Sequence, residues 1–312
     1  MNSSNKGKRK RRRAKAPPLW QAAVYVLAII SPLLFGGAFG STVVAIAALS
    51  LTCLFVGLYA YRDESDLVQQ RIFADRSVWF FVGALAFTAI QAMPLPLAFG
   101  ETIGHPNTTA ISRLREFSTT PISWTISLDP GGTQTQTVIL IAVLSAFCLG
   151  RLGGRRAPRI AARAIAVSAA CVALVSLAHT FAGLDKVYGV YAPRFTSTRI
   201  ISPLMNHNHL AGFLSFGAIV SLGLALDPNE TNKRGAWTAV AIINALVCFS
   251  TLSRGGIASM IFGLSGLMLL RSKRAKSDSN HTKTFGVVLV VASAVGVALY
   301  TYSRPLLQRF PS

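Results

Sequence analysis

Two asparagines and two histidines alternate in LMNHNHLAGFL, Leu204–Leu214, directly before a long apolar run. Side chains of these types can ligate a metal, relay a proton or cap a helix. Spacing speaks against a metal. His207 and His209 would point about 200° apart on a helix, and no Cys, Asp or Glu stands nearby upstream to complete a ligand set. We expect neither a metal nor a cofactor. Capping fits better, because apolar periodicity begins at Leu210 and an Asn side-chain carbonyl accepts a bond from first-turn amides. Asn206 or Asn208 can fill that position. Such a helix end, with its free amides and positive dipole end, also attracts anions.

A second stretch repeats the arrangement. In TLSRGGIASM, Thr251–Met260, Ser253 is a candidate N-cap and Arg254 the first helical residue, while Gly255 and Gly256 permit close approach by a ligand or a neighbouring helix. An Arg at a membrane boundary is either functional or snorkels to headgroups. Arg194 and Arg199 lie in the segment before the Asn-His stretch. Two helix starts and three guanidiniums therefore suggest a phosphate ester, since Arg grips phosphate oxygens in pairs and stays charged. His207 and His209 are the weakest members of this set, and either would serve only as a base.

The elements that must position these residues are membrane helices. Of 312 residues, 52% are hydrophobic and 13% charged, against roughly a quarter charged in soluble domains. The apolar blocks approach the ~20 residues that cross a bilayer and lack the alternation of barrel strands. The expectation is an all-α polytopic transmembrane bundle of about nine spans: 19–37, 42–61, 78–99, 137–150, 160–181, 210–226, 237–251, 255–270 and 285–302. The tail KGKRKRRRAK is placed in the cytoplasm. Alternating spans then put 23 of the 31 basic residues on the cytoplasmic side. The N-terminal blocks read as span following span, not as a cleaved signal. This gives a basic tail over 1–18, a membrane domain over 19–302 and the start of an external segment over 303–312.

A net charge of +20 raises nucleic acid as a partner. A polybasic run next to a span is better read as a topology signal and a contact for anionic lipid, so no nucleic acid is expected. Cys53, Cys148, Cys171 and Cys248 all fall within expected spans and have no CxxC spacing. They read as packing residues.

The order SLDP (Ser127–Pro130), R-x6-NHNHLA (Arg199–Ala211) and TLSRGG (Thr251–Gly256) resembles the O-antigen ligase and O-antigen polymerase superfamily, over roughly 127–270. The resemblance implies a polytopic helical glycosyltransferase of the bacterial inner membrane that needs no metal. Such enzymes move a glycan from an undecaprenyl diphosphate carrier to a periplasmic acceptor, either lipid A–core or a growing polysaccharide. By motif, Arg254 and Arg199 would neutralise the leaving diphosphate, with Arg194, Asn206, Asn208 and Ser253 around it. Two departures stand out. Ser202-Pro203-Leu204 replaces the frequent Gly-Thr-Phe, and the sequence ends at SRPLLQRFPS, before the family's later external segment with its proposed catalytic His. The resemblance therefore implies a truncated member, and the catalytic residues stay unassigned. The alternative is a non-catalytic membrane protein, either a transporter of an anionic solute or a partner subunit.

Overall fold

The computed structural model describes residues 17–102, 104, 108, 113, 117, 123–192 and 200–274. The basic tail, the ninth expected span (285–302) and the segment 303–312 lie outside the described residues. Among the described residues ten helices dominate: α1 (Pro18–Leu33), α2 (Gly40–Ala60), α3 (Ser65–Phe73), α4 (Arg76–Ala92), α5 (Leu97–Thr102), α6 (Pro130–Leu152), α7 (Ala157–Phe181), α8 (His207–Ala225), α9 (Arg234–Ser250) and α10 (Arg254–Arg274). One small antiparallel pair, β1 (Leu95–Pro96) with β2 (Ser123–Trp124), accompanies them.

Among the described residues four segments are long and apolar enough to cross a membrane: α2, α6, α8 and Gly154–Phe181, which carries α7. A fifth is counted if α3 and α4, bent by 63°, form one broken span. The other expected spans that lie within the described residues form helices shorter or more polar than a simple crossing requires. α1 stops at Leu33 because Phe35, Gly36 and Gly37 all take positive φ. α9 has 17 residues and ends at a tight turn in which Leu252 has φ 55°. α10 carries Arg254 at its start and Arg271, Lys273 and Arg274 in its last turn. The expected span 78–99 ends at Ala92, just before Pro94 and Pro96. The expected span 137–150 starts earlier, because Asp129 caps α6 by accepting from the Gly132 amide at 2.9 Å and Pro130 occupies the first turn. Thus TQTQT, Thr133–Thr137, which precedes or just touches the expected span, is helical.

The chain divides into two compact units, one comprising Met1–Leu27 and Val43–Ala161, the other Ala28–Thr42 and Ala162–Ser312. The first is centred on Trp20, fully buried, whose indole N–H donates to the Leu149 carbonyl at 2.7 Å. Gly57 and Gly153 leave room for it: a Cβ on Gly153 would lie 2.2 Å from the Trp20 ring, and one on Gly57 2.6 Å from Leu149. At one end of this unit Arg71 donates to the Leu152 carbonyl, and Arg151 pairs with Asp75 at 2.5 Å.

In the second unit α8 packs against both α9 and α10 around Val172, Leu210, Leu214, Val247 and Met260. Glycine allows the closest approaches. A Cβ on Gly256 would lie 2.3 Å from that of Ala211, and one on Gly263 2.2 Å from Ile219. Ala211 and Ile219 rise along α8 as Gly256 and Gly263 rise along α10, so the two helices run parallel and start at the same end. At the far end, Arg234 and Arg271 donate to the last carbonyls of α8, on Ala225 at 3.0 Å and Leu226 at 2.6 Å. Cations there complement the negative end of the helix.

Candidate functional site: two paired helix starts

The Asn-His stretch is a helix cap. The Asn206 side chain accepts from the Asn208 amide at 2.8 Å, and the Asn206 carbonyl accepts from the Leu210 amide at 2.9 Å. Asn206 is therefore the N-cap, and α8 begins at His207, three residues before the apolar run that announced it. Asn208 is free for a different task. Its Oδ1 accepts from the Ser253 hydroxyl at 2.8 Å, tying the start of α8 to the start of α10.

Ser253 is buried at 2% exposure and its oxygen also accepts from the Gly256 amide at 3.3 Å. It serves as the N-cap of α10 and as a link between helices, which leaves its hydroxyl engaged with protein. Gly256 supplies the close approach beneath this link, whereas Gly255 has open space at its Cβ position. Of the two alternatives for this glycine pair, Gly256 serves a neighbouring helix and Gly255 leaves the surface clear.

What remains facing outward is cationic and donor-rich. Arg254, Asn208 and His209 are exposed and His207 is half-buried. Among the described residues, the first-turn amides of His207, His209, Arg254 and Gly255 have no hydrogen-bond partner. Arg254 has no ion pair among them either. Two parallel helix starts joined by one hydrogen bond thus present amides and a guanidinium together, a local excess of positive potential. The other two expected cations, Arg194 and Arg199, lie outside the described residues. Among the described residues no three of His, Cys, Asp and Glu gather in a metal-holding group.

Beside the segment entering α8, four aromatic rings assemble. Phe35 meets Tyr188 edge-on at 5.5 Å, and Phe39 meets Tyr191 at 5.1 Å. The Tyr188 hydroxyl donates to the Leu33 carbonyl at 2.8 Å, and Gly36 faces Leu204, where a Cβ would lie 3.3 Å from its side chain. His179 is a buried structural histidine: Nε2 accepts from the Tyr188 amide at 2.9 Å while Nδ1 sits 2.8 Å from the Val175 carbonyl. The replaced tripeptide forms a turn in which the Ser202 hydroxyl oxygen accepts from the Leu204 amide at 3.0 Å. Ser127–Pro130, the third motif, belongs to the first unit, where Ser127 and Thr133 hydroxyls share a 2.6 Å bond at the start of α6.

Two features escaped the sequence. The aromatic group is written as FGGAF and YGVY, more than 140 residues apart, with no local signal to unite them. Asn244, mid-helix in α9, is fully buried, neither of its amide atoms has a partner among the described residues, and Gly217 of α8 lies against it. A lone Asn in an apolar run was the available hint.

No protein-family model, no curated protein and no solved structure matches this chain.

Proposed function

We propose that the chain is an O-antigen ligase-like protein of the bacterial inner membrane that binds a polyprenyl-diphosphate-linked glycan at the paired starts of α8 and α10. Both starts then face the periplasm, the N-terminal tail lies in the cytoplasm, and the whole protein crosses the bilayer about nine times. The observation carrying this reading is the Asn208–Ser253 bond, which sets Arg254 and the outward amides of two helices side by side. A diphosphate is the natural occupant of such a group, since it offers several oxygens to several donors at once. When an acceptor hydroxyl replaces the diphosphate at the anomeric carbon, negative charge grows on the leaving group. In this reading Arg254 stabilises that charge, and Arg199 and Arg194, which lie outside the described residues, share the role. Asn206 and Asn208 hold the helix starts, and His207 and His209 stand next to the amides.

The test is binding of undecaprenyl diphosphate to the purified protein. Arg254→Ala should weaken it about tenfold or more, the range of a charge-assisted pair, with unchanged thermal stability because the side chain is exposed. Equal binding by wild type and by Arg254→Ala would falsify the assignment. The alternative, a transporter of an anionic solute, has Asn244 in its favour, a polar group buried within a helix of the bundle without partners among the described residues. Uptake of a phosphorylated solute into proteoliposomes that depends on Asn244 and not on Arg254 would favour that alternative.

A further inference from the structure

The end of α2 and the bent segment α3 border an open groove of about 520 Å³ in the first unit. Leu58, Val68 and Phe73 make its floor apolar, and Tyr61, Arg62 and Gln69 supply polar groups at its edge. α2 is one of the candidate spans, and α3 breaks from α4 by 63°. With α4 along the bilayer normal, α3 therefore lies close to the membrane plane. Residues 69–73 of α3 are π-helical, a local widening that recurs at functional sites. Trp79 and Tyr59 are more than half exposed at this level, and the Trp79 indole donates to the Phe73 carbonyl at 2.8 Å. Half-exposed Trp and Tyr rings settle at the headgroup layer. An apolar floor with a polar edge at that depth suits an amphiphile, with its chain on the floor and its headgroup at the rim.

Charge selects the headgroup. Arg62 is exposed and lies over the Tyr59 ring at 4.3 Å. Its nearest carboxylate, Asp63, is 3.8 Å away and 91% exposed, too long and too hydrated a contact to neutralise it. Asp63, Glu64 and Asp66, all exposed, follow directly in the chain, outside the groove lining but next to its Arg62 and Ser65. A headgroup bearing only negative charge would meet Arg62 but also three carboxylates. One that carries an amine beyond its phosphate matches both signs.

The geometry points to a binding site in this groove for a phospholipid that carries both a phosphate and a primary amine. Arg62 takes the phosphate, the Asp63–Asp66 carboxylates take the ammonium, and one acyl chain lies over Leu58, Val68 and Phe73. This site shares no residue with the paired helix starts and stands or falls independently of them.

Native mass spectrometry of the full chain, released from nanodiscs containing phosphatidylethanolamine and phosphatidylglycerol of matched chains, tests the assignment. The expected result is one retained phosphatidylethanolamine, preferred about tenfold. Val68→Trp, which fills the groove, should remove it, and Phe87→Trp on the exposed face of α4 should not. Arg62→Gln should lower retention of both lipids, and Asp66→Asn should narrow the preference. Both residues are exposed, so these variants keep the fold even if Val68→Trp does not. Equal retention of the two lipids by wild type, or retention unchanged in Arg62→Gln and Asp66→Asn, overturns the assignment.

Discussion

Gly255 and Gly256 are adjacent in sequence and should respond to alanine with opposite signs. A Cβ on Gly256 would lie 2.3 Å from the Ala211 Cβ, 3.1 Å from its carbonyl carbon and 3.2 Å from its Cα. Carbon atoms in contact prefer about 3.5–4.0 Å, so more than an ångström must be found. Neither neighbour is the end of a flexible side chain, and the helices themselves must part. Overpacking of this kind costs about 1–3 kcal/mol. Parting also strains the 2.8 Å Asn208–Ser253 bond, at about 0.5–1.5 kcal/mol. The better helix propensity of alanine returns up to about 1 kcal/mol. The net is about 2 kcal/mol, or a fall in Tm of roughly 3 °C at an unfolding entropy of about 2.1 cal/mol/K per residue over 312 residues. At Gly255 nothing lies within 4 Å, so only the propensity gain applies and Tm should hold or rise. Scanning fluorimetry of the two purified variants decides the matter, with hydrogen exchange at 206–211 and 253–257 as a second measurement. If Gly256→Ala proves as stable as Gly255→Ala, α8 and α10 do not meet as described.

Three further outcomes follow from two buried polar groups, Glu230 and Asn244. Burial pushes the Glu230 carboxyl up, but hydrogen bonds from Arg163 and Trp237 outweigh it and hold the group below its ordinary 4.5. A depressed carboxylate adds stability above its unfolded pKa and loses it as pH falls through the folded value. Tm should therefore drop below about pH 4.5, and that slope should flatten in Glu230→Gln. Arg163→Met, which strands the buried Glu230 charge, should cost more than Glu230→Gln, on the order of 3 kcal/mol; chemical denaturation of both variants compares them. For Asn244, whose amide atoms have no partner among the described residues, replacement by Leu of similar volume should leave Tm unchanged or raise it, by about 1 kcal/mol. A marked loss would show that Asn244 makes bonds in the folded protein that its present surroundings do not supply.

The membrane character of the chain was legible in its composition, and several helix starts were legible in single residues. Asn206 at the head of the NHNH run and Ser253 before Arg254 cap helices as their side-chain chemistry demands, whereas the cap at Asp129 emerged only in the structure. Span ends were harder to read. Hydropathy registers lipid compatibility, and the turn at Phe35–Gly37 cuts an apolar run where no polar residue marks the break. A polar run such as TQTQT can likewise stay helical once a cap and a proline have started the turn.

Local chemistry therefore determined which residues are caps, which are cations and which segments are apolar, since these are properties of a few neighbouring side chains. Tertiary structure alone decided which caps meet. Asn206 and Asn208 were equal candidates until Ser253, 45 residues from Asn208, claimed one of them. The same is true of the glycine pair, divided between helix contact and open surface by the position of Ala211. Pairings of this kind depend on how α8 and α10 pack, and packing is a sum over contacts between distant segments that no local pattern records.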